Sequence, residues 1–464
     1  RTTMRLERDE RPFATVAAPV DGQGRHTPVS FWHETVDIAP GPPLEGDTEC
    51  DVVVVGGGFT GLSAAHELKR ARPDLDVALV EHGVVGHGAS GRNGGFAMPL
   101  IGWDLLYAAQ KLGEKRGGEA YRFMYGAVDH LKEIVATHGI DCDLEATGYI
   151  LINTCKRREA RARKEHDLAH RLGFDHSWLD RDALQDYVRS EHFLSGVFDP
   201  HPCIINPAKL ARGRKEVVES LGVRVYEQTP ATSIADDGQR VTVTTPRGAV
   251  RARAAVLGLN GYGGALGFMK ARILPIHTYI VLTEPLSDAQ LEAIGWGKRR
   301  ASLETARNLI HYFRLTADNR ILFGGDDAEL YPGGAYHDRN DQIFEQLKAR
   351  FREYFPSLAE VAFTHAWGGV LGVTLDMFPS FGQQDNLFHA AGYSGHGVSL
   401  SNYAGVSLAP RILQHLGIEV EDTGPPTPFF YDRTPAWLPP DPLRYIGARA
   451  YRLGLRAQDR LEGA

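Results

Sequence analysis

The alternation of apolar and polar positions changes period several times along the chain, and each change marks an element. Val52 to Val55 is a continuous β-branched run of the kind buried on both faces of a parallel sheet. A glycine-rich turn and a helical pattern follow, and then a second apolar run, Val77 to Val80. Helical periodicity occupies much of 103–138 and 156–190, with a strand-like stretch from Gly148 to Asn153 between them. Residues 207–221 read as a helix that opens on Pro207, a good first-turn residue. Alternating runs from Val223 to Glu227, Arg240 to Thr245 and Arg251 to Leu257 predict a strand and a β-meander. Strands are expected over 273–283 and 308–325, the second a hairpin turning at Ala317, Asp318 and Asn319, and a helix over 340–354. A short strand, Leu387 to Ala391, leads into a helix from Val398. Residues 1–49 read as an irregular lead-in, and a proline-rich stretch over 425–440 precedes a helix over about 441–461.

The turn after Val55 carries the chemistry. It reads Gly56-x-Gly58-x-x-Gly61 between strand and helix, and Glu81 ends the second apolar run twenty residues past Gly61. Together these make a dinucleotide-binding fingerprint. Gly56 allows the tight turn, Gly58 lets backbone approach a pyrophosphate, and Gly61 lets the helix pack against the strand. The helix N-terminus offers free N–H groups and positive dipole to the anion. Glu81 can accept the hydroxyls of an adenosine ribose. No second complete fingerprint occurs, so one dinucleotide is expected: Gly261-x-Gly263 and Gly395-x-Gly397 both lack the third glycine.

Length and composition narrow the field. A chain of 464 residues has room for two or three domains. Its net charge of −7, with basic residues scattered, argues against nucleic acid as a partner. Cys50, Cys142, Cys155 and Cys203 form no C-x-x-C pair, which signals neither a metal site nor a dithiol centre and suits free thiols in a cytoplasmic protein. The charged stretch from Arg1 to Phe13 has no apolar centre, so no signal peptide is expected. No apolar run approaches the ~20 residues of a spanning helix.

Two further glycine loops follow the same logic. Gly88-Ala89-Ser90-Gly91-Arg92-Asn93-Gly94-Gly95 begins seven residues past Glu81 and offers exposed N–H groups and short polar side chains for a pyrophosphate or a flat ring. Gly392-Tyr393-Ser394-Gly395-His396-Gly397 ends one strand and opens a helix at Val398. Here His396 either faces the ring or caps the helix.

These motifs, with Tyr312 to Arg320, Trp367-Gly-Gly369 and Asp376-x-x-Pro379-x-x-Gly382, recur in one order. The chain resembles the FAD-dependent amine and amino-acid oxidases of the D-amino-acid oxidase type, and within them the branch of γ-glutamylputrescine oxidases. The resemblance implies an α/β fold. A Rossmann-like FAD-binding domain would be assembled from 50–100, 195–265 and 365–420. A mixed-sheet substrate domain would come from 101–194 and 266–364, and a C-terminal extension from 421–464. It also implies the reaction: hydride transfer from a carbon bonded to an amine nitrogen to flavin N5, giving imine or aldehyde and H2O2. The alternatives are a dehydrogenase that passes electrons to a carrier, and a flavoprotein without turnover. The expected partners are a small amine and O2; a membrane is not expected.

Site residues follow from the same resemblance. Around FAD it places Gly56, Gly58, Phe59, Thr60, Gly61, Glu81, His82, the loop from Gly88 to Gly95, Ala231, Gly369, Gly392, Gly395, His396, Gly397 and Val398, with Arg92 available to the pyrophosphate. No cysteine follows Cys203, so the cysteine tether of sarcosine-oxidase-type relatives cannot form; His87 is one residue from the position of the histidine tether in others. FAD is therefore expected to be non-covalent. Glycine-oxidase-like members hold the substrate carboxylate with an arginine before the Asp-x-x-Pro motif; here that strand has none, which disfavours an α-amino acid held in that way. Tyr262, Tyr279, Tyr312, Trp367 and Tyr393 are candidate cage residues, Trp367 and Tyr393 foremost. Arg314 shares a strand face with Tyr312 and either binds an anion or pairs with Asp318 or Asp326. His277 either passes near the ring or is a buried structural histidine. The basic amphipathic C-terminal stretch is expected to pack on the parent domain.

Overall fold

The computed structural model describes residues 2–5, 26–419 and 428–463. The expectations for Arg1 to Phe13, and for the lead-in and proline-rich stretch within 6–25 and 420–427, thus fall wholly or partly outside the described residues.

Two large sheets organise the chain. In the first, of nine strands, the fingerprint strand Thr48–Val55 lies between Val77–Val80 and Gly248–Leu257, parallel to both. Val52, Val53 and Val54 are fully buried, as an apolar run covered on both faces requires. Gly248–Leu257 is long enough to pair its first half with Val241–Thr245 and its second half with Leu387–Ala391, so the sheet branches there. On one face the helix Phe59–Ala71 crosses Gly397–His415. A Cβ at Gly405 would fall 2.1 Å from the Ser63 carbonyl oxygen, and only glycine allows that approach.

The second sheet has eight strands. Its register aligns Trp367, Ile280, Gly324, Tyr312, Glu304, Leu151, Val197 and Trp178 in one row across neighbouring strands. Gly324 makes room in that row: a Cβ there would lie 2.5 Å from the Tyr312 ring. The far face packs on the helix Asp341–Tyr354 through Phe313, Phe323, Leu347 and Phe351.

Several expectations are corrected. The helix from Lys156 ends at Arg171, and the strand Ser177–Leu179 follows it. Gly173, with φ +83°, breaks a charged helical pattern that had no internal stop. The lead-in is not wholly irregular: Thr2–Arg5 pairs with Ser233–Asp236, and Phe31–Glu34 is a short helix capped by Ser30. Strand pairing puts Ser195–Asp199 and Phe363–Val373 in the second sheet, whereas the expected boundaries gave 195–199 and 365–373 to the cofactor-binding unit. The helix Leu443–Glu462 packs back on the body. Asp459 is buried beneath it, accepting from the backbone N–H of Asn308 and Leu309 at 2.9 Å and pairing with Arg158. No helix among the described residues is long and apolar enough to cross a membrane. The four cysteines are free and buried.

Candidate active site

Both glycine turns that open helices lead into one cavity of about 1060 Å³. That volume exceeds the usual range for a single drug-sized ligand.

At one end stands the fingerprint. Gly56 has φ +107°, and a Cβ there would meet the Gly258 carbonyl at 2.6 Å. A Cβ at Gly61 would lie 2.0 Å from the Gly56 oxygen, so this glycine sets how closely helix and turn pack. Gly58 begins the helix without a side-chain cap of its own; Ser90 takes the Phe59 N–H, and the next N–H groups of the first turn have no intrahelical partner. The Glu81 carboxylate accepts from Gly57 N–H at 2.7 Å and Gly83 N–H at 2.9 Å. Burial, helped by nearby Glu227, pushes Glu81 up to about 7 against those two donors.

The loop from Gly88 to Gly95 is held in shape by its own side chains. Asn93 donates to the Ala89 carbonyl and accepts from Gly95 N–H, and Ser90 accepts from Phe59 N–H at 2.9 Å. Arg92 bonds the His87 carbonyl and ring and pairs with Asp338 at 2.6 Å, so its charge already has a carboxylate partner. His87 is buried with both ring nitrogens in use, on Arg92 and on His26 at 2.9 Å. This arrangement opposes a covalent link at that residue.

The third turn sits across from the first. Tyr393 and Thr60 share a hydroxyl–hydroxyl bond of 2.7 Å. His396 precedes the helix Gly397–His415 but makes no capping bond, and its buried Nδ1 has no partner. The capping alternative is therefore excluded, and the ring lines the cavity. Burial brings His396 down to about 4, so it is neutral near pH 7.

The second sheet forms the opposite wall. A Cβ at Gly94 would lie 3.1 Å from the Tyr312 ring, and one at Gly88 would lie 3.2 Å from Tyr262. Trp367 Nε1 donates to the Arg92 carbonyl at 2.8 Å, and Trp32 Nε1 to that of Asn93, also at 2.8 Å. Loop and wall thus touch edge to edge around a shared space.

The cavity brings together Gly56, Gly58, Phe59, Thr60, Glu81, His82, Gly88, Ala89, Ser90, Arg92, Asn93, Gly94, Ala231, Gly369, Gly395, His396, Gly397 and Val398, with Tyr262, Tyr312, Trp367 and Tyr393. Several expected residues do not line it. Gly61 packs behind the turn, Gly95 lies against the Ile205 carbonyl, and Gly392 lies against Thr374. Arg314 is buried and spends its guanidinium on the carbonyls of Gly94, Gly95, Ile205 and Leu315, beneath Trp32. It meets neither Asp318, which pairs with Arg320, nor the cavity. His277 points to the other side of its strand, where Nε2 accepts from His337 N–H, while Ile276 and Thr278 face in. Tyr279 also turns outward, bonding Tyr331 at 2.5 Å.

Sequence reasoning missed much of the far end of the cavity. Tyr121, Tyr125, Tyr149, Glu165, Asp199 and Glu304 line it, and the helix Leu443–Glu462 closes its mouth with Arg444, Tyr451 and Arg452. Glu304, in the mixed strand Ser302–Thr305, carried no signal in the sequence. The tyrosines had none.

The comparisons agree with this geometry. Residues 51–411 match the family described as "DAO: FAD dependent oxidoreductase". A probable oxidoreductase OrdL of Rhizobium meliloti (strain 1021) is 32% identical over 397 residues, covering 83% of this chain and 89% of the relative. The gamma-glutamylputrescine oxidoreductase of Escherichia coli (strain K12) is 30% identical over 388 residues, covering 83% and 88%. A solved glycine oxidase from Geobacillus kaustophilus superposes with a TM-score of 0.67 at 21% identity, over 84% of this chain and 100% of that one, and shows the fold. The chain belongs to the DAO family. It is an FAD-dependent oxidoreductase.

The residues present fit that cofactor. The open helix N-termini suit a pyrophosphate, the doubly held Glu81 suits a ribose, and the His396 ring lines the same space as the Tyr312 wall.

Proposed function

We propose that the protein oxidises a primary or secondary amine at the carbon next to nitrogen, with O2 as the final acceptor: RCH2NH2 + O2 + H2O gives RCHO, NH3 and H2O2. The observation that carries the reading is the single cavity shared by the fingerprint, the His396 turn and the aromatic face of the second sheet. The name of the Escherichia coli relative supports an amine donor.

Bound FAD supplies a ring that accepts a hydride equivalent. The chain's residues prepare the donor. Trp367, Ile280 and Tyr312 form a dry wall, and a dry wall lowers the pKa of an amine toward the neutral form that can react. The N-terminus of Gly397–His415 and the backbone N–H groups there favour negative charge developing on the cofactor side. His396, held neutral by burial, presents its ring to the cavity without adding charge. Glu81, Ser90 and Asn93, fixed by their bonds within the protein, would hold the adenosine and pyrophosphate end of FAD.

The test is anaerobic bleaching of the flavin's visible band by diamines, N-acyl diamines, N-methyl amino acids, D-amino acids and aminophosphonates, followed by oxygen-electrode turnover. Bleaching by an amine class with oxygen uptake is expected. A yellow protein that none of them bleaches would overturn the reading, and bleaching without oxygen uptake would replace O2 by a carrier.

A further inference from the structure

The cavity's charges do not balance. Every arginine that lines it is already ion-paired: Arg92 with Asp338, Arg158 and Arg307 with Asp459, Arg161 with Asp104, Arg444 with Asp441, and Arg452 with Glu329. No lysine lines it. Its carboxylates are treated differently. Glu81 is held by backbone N–H groups, and Asp199 by the Tyr125 hydroxyl at 2.7 Å and His201 N–H at 2.9 Å. Asp326 has His311 nearby, at 3.9 Å. Among the described residues, Glu304 has no cationic partner, only the Tyr149 hydroxyl.

Glu304 also holds a particular place. It is the one charged residue in the row Trp367, Ile280, Gly324, Tyr312, Glu304, Leu151 and Val197, directly opposite Tyr312 on one side and Leu151 on the other. Both neighbours face the cavity. An ionised carboxylate on an apolar wall is unfavourable unless a counter-charge arrives. A ligand that brings a cation relieves that penalty, while one that brings a carboxylate to the same wall adds to it and finds no free guanidinium.

We propose that Glu304 is a specificity-determining residue, whose carboxylate receives an ammonium group of a cationic amine and turns away α-amino-acid carboxylates. This rests on the amine-oxidase reading and narrows its substrate class. Glu165 lines the far end of the same cavity, also without an ion pair, accepting only from Leu105 N–H at 3.1 Å. A chain bearing a second ammonium group would find a partner there as well.

The test uses the FAD-loaded enzyme with butylamine, putrescine and sarcosine as probes. Flavin-band perturbation or bleaching gives affinity, and steady-state turnover separates KM from kcat. Wild type is expected to prefer butylamine or putrescine to sarcosine. Glu304→Gln keeps the shape of the side chain and should raise KM for the preferred amine at least tenfold with kcat changed less than threefold. Glu304→Asp should lie between, which a merely structural role would not produce. A rise with both amines assigns to Glu304 the entering ammonium before it loses its proton to become the neutral reacting amine, and a rise with putrescine alone assigns the distal ammonium; either supports the proposal. A folded, yellow Glu304→Gln with unchanged KM for both amines, or a wild type that prefers sarcosine, overturns it and leaves the amine reading standing. If Glu304→Gln does not fold, an unchanged KM in Glu304→Asp overturns the proposal. If no amine reduces the wild-type flavin, the amine reading fails and takes this proposal with it.

Discussion

Glu304 and Tyr312 stand opposite each other across their antiparallel strands, so a carboxylate with no ion pair lies beside the ring that closes on Gly94. The pair joins the cofactor loop to the charge that the wall presents.

This placement has a stability consequence. Burial pushes Glu304 up to about 7, against Tyr149, whose hydroxyl opposes the shift. A free glutamic acid titrates near ~4.3. The folded chain therefore binds the proton more tightly, and this contribution to stability, full below ~4.3, is lost as pH rises through 7. Tyr149 and Tyr312 face the group from the neighbouring strands and stay neutral over that range. Glu304→Gln should raise stability at pH 8 by about 1–3 kcal/mol and leave it unchanged at pH 4, as urea melts at both pH values would read.

Glu81 is expected to act through its two backbone donors. Glu81→Ala removes the acceptor of both Gly57 and Gly83 and should weaken FAD binding by roughly 10–100-fold, or about 1.4–2.7 kcal/mol. Fluorescence quenching on reconstituting the apoprotein measures it. An unchanged affinity would remove Glu81 from the ribose end.

His396 should matter to rate and little to assembly. Its ring is neutral and makes no cap bond, so His396→Ala should retain FAD while slowing flavin reduction by about 10–100-fold in stopped flow. Since burial holds the ring near 4, no inflection from it is expected between pH 6 and 9 in the empty cavity.

At the crossing of the two cofactor-side helices, Gly405→Ala would put a methyl group 2.1 Å from the Ser63 carbonyl oxygen. The helices must separate, at a cost of about 1–3 kcal/mol. The thermal midpoint of the apoprotein should fall by several degrees, and a midpoint equal to wild type would contradict this packing.

Asp459→Ala removes a buried carboxylate that two backbone N–H groups and Arg158 share, a loss of about 3–5 kcal/mol. Limited proteolysis should then cut first within the helix Leu443–Glu462, which wild type should resist.

How far the chain could be read in advance depended on how local each signal is. Gly56, Gly58, Gly61 and Glu81 were legible because strand, turn and helix lie within one short stretch and each glycine answers to a nearby atom. Arg314 shows where that stops. Period-two alternation put it on the face of Tyr312, but alternation names a face and not what covers it. Trp32, from the lead-in, and the carbonyls of Gly94, Gly95 and Ile205 cover this end of the strand. His277 fails by parity, with Ile276 and Thr278 taking the inward positions. Glu304 was invisible because the short strand Ser302–Thr305 has no clear alternation and one of its neighbours, Leu151, comes from a strand far away in the sequence. The role of Trp32 escaped notice because a four-residue helix leaves no periodicity to detect.

The wall contributed by Leu443–Glu462 also bears on the order of events during synthesis. The turn that begins the cavity is made from residues 51–61, and the side that encloses it from residues some four hundred positions later. A ribosome delivers them in that order. The fingerprint strand and helix therefore emerge with an incomplete pocket while some four hundred further residues are made, and the enclosed chamber exists only once Leu443–Glu462 has emerged and Asp459 has docked. Capture of FAD in its final surroundings thus waits for Leu443–Glu462.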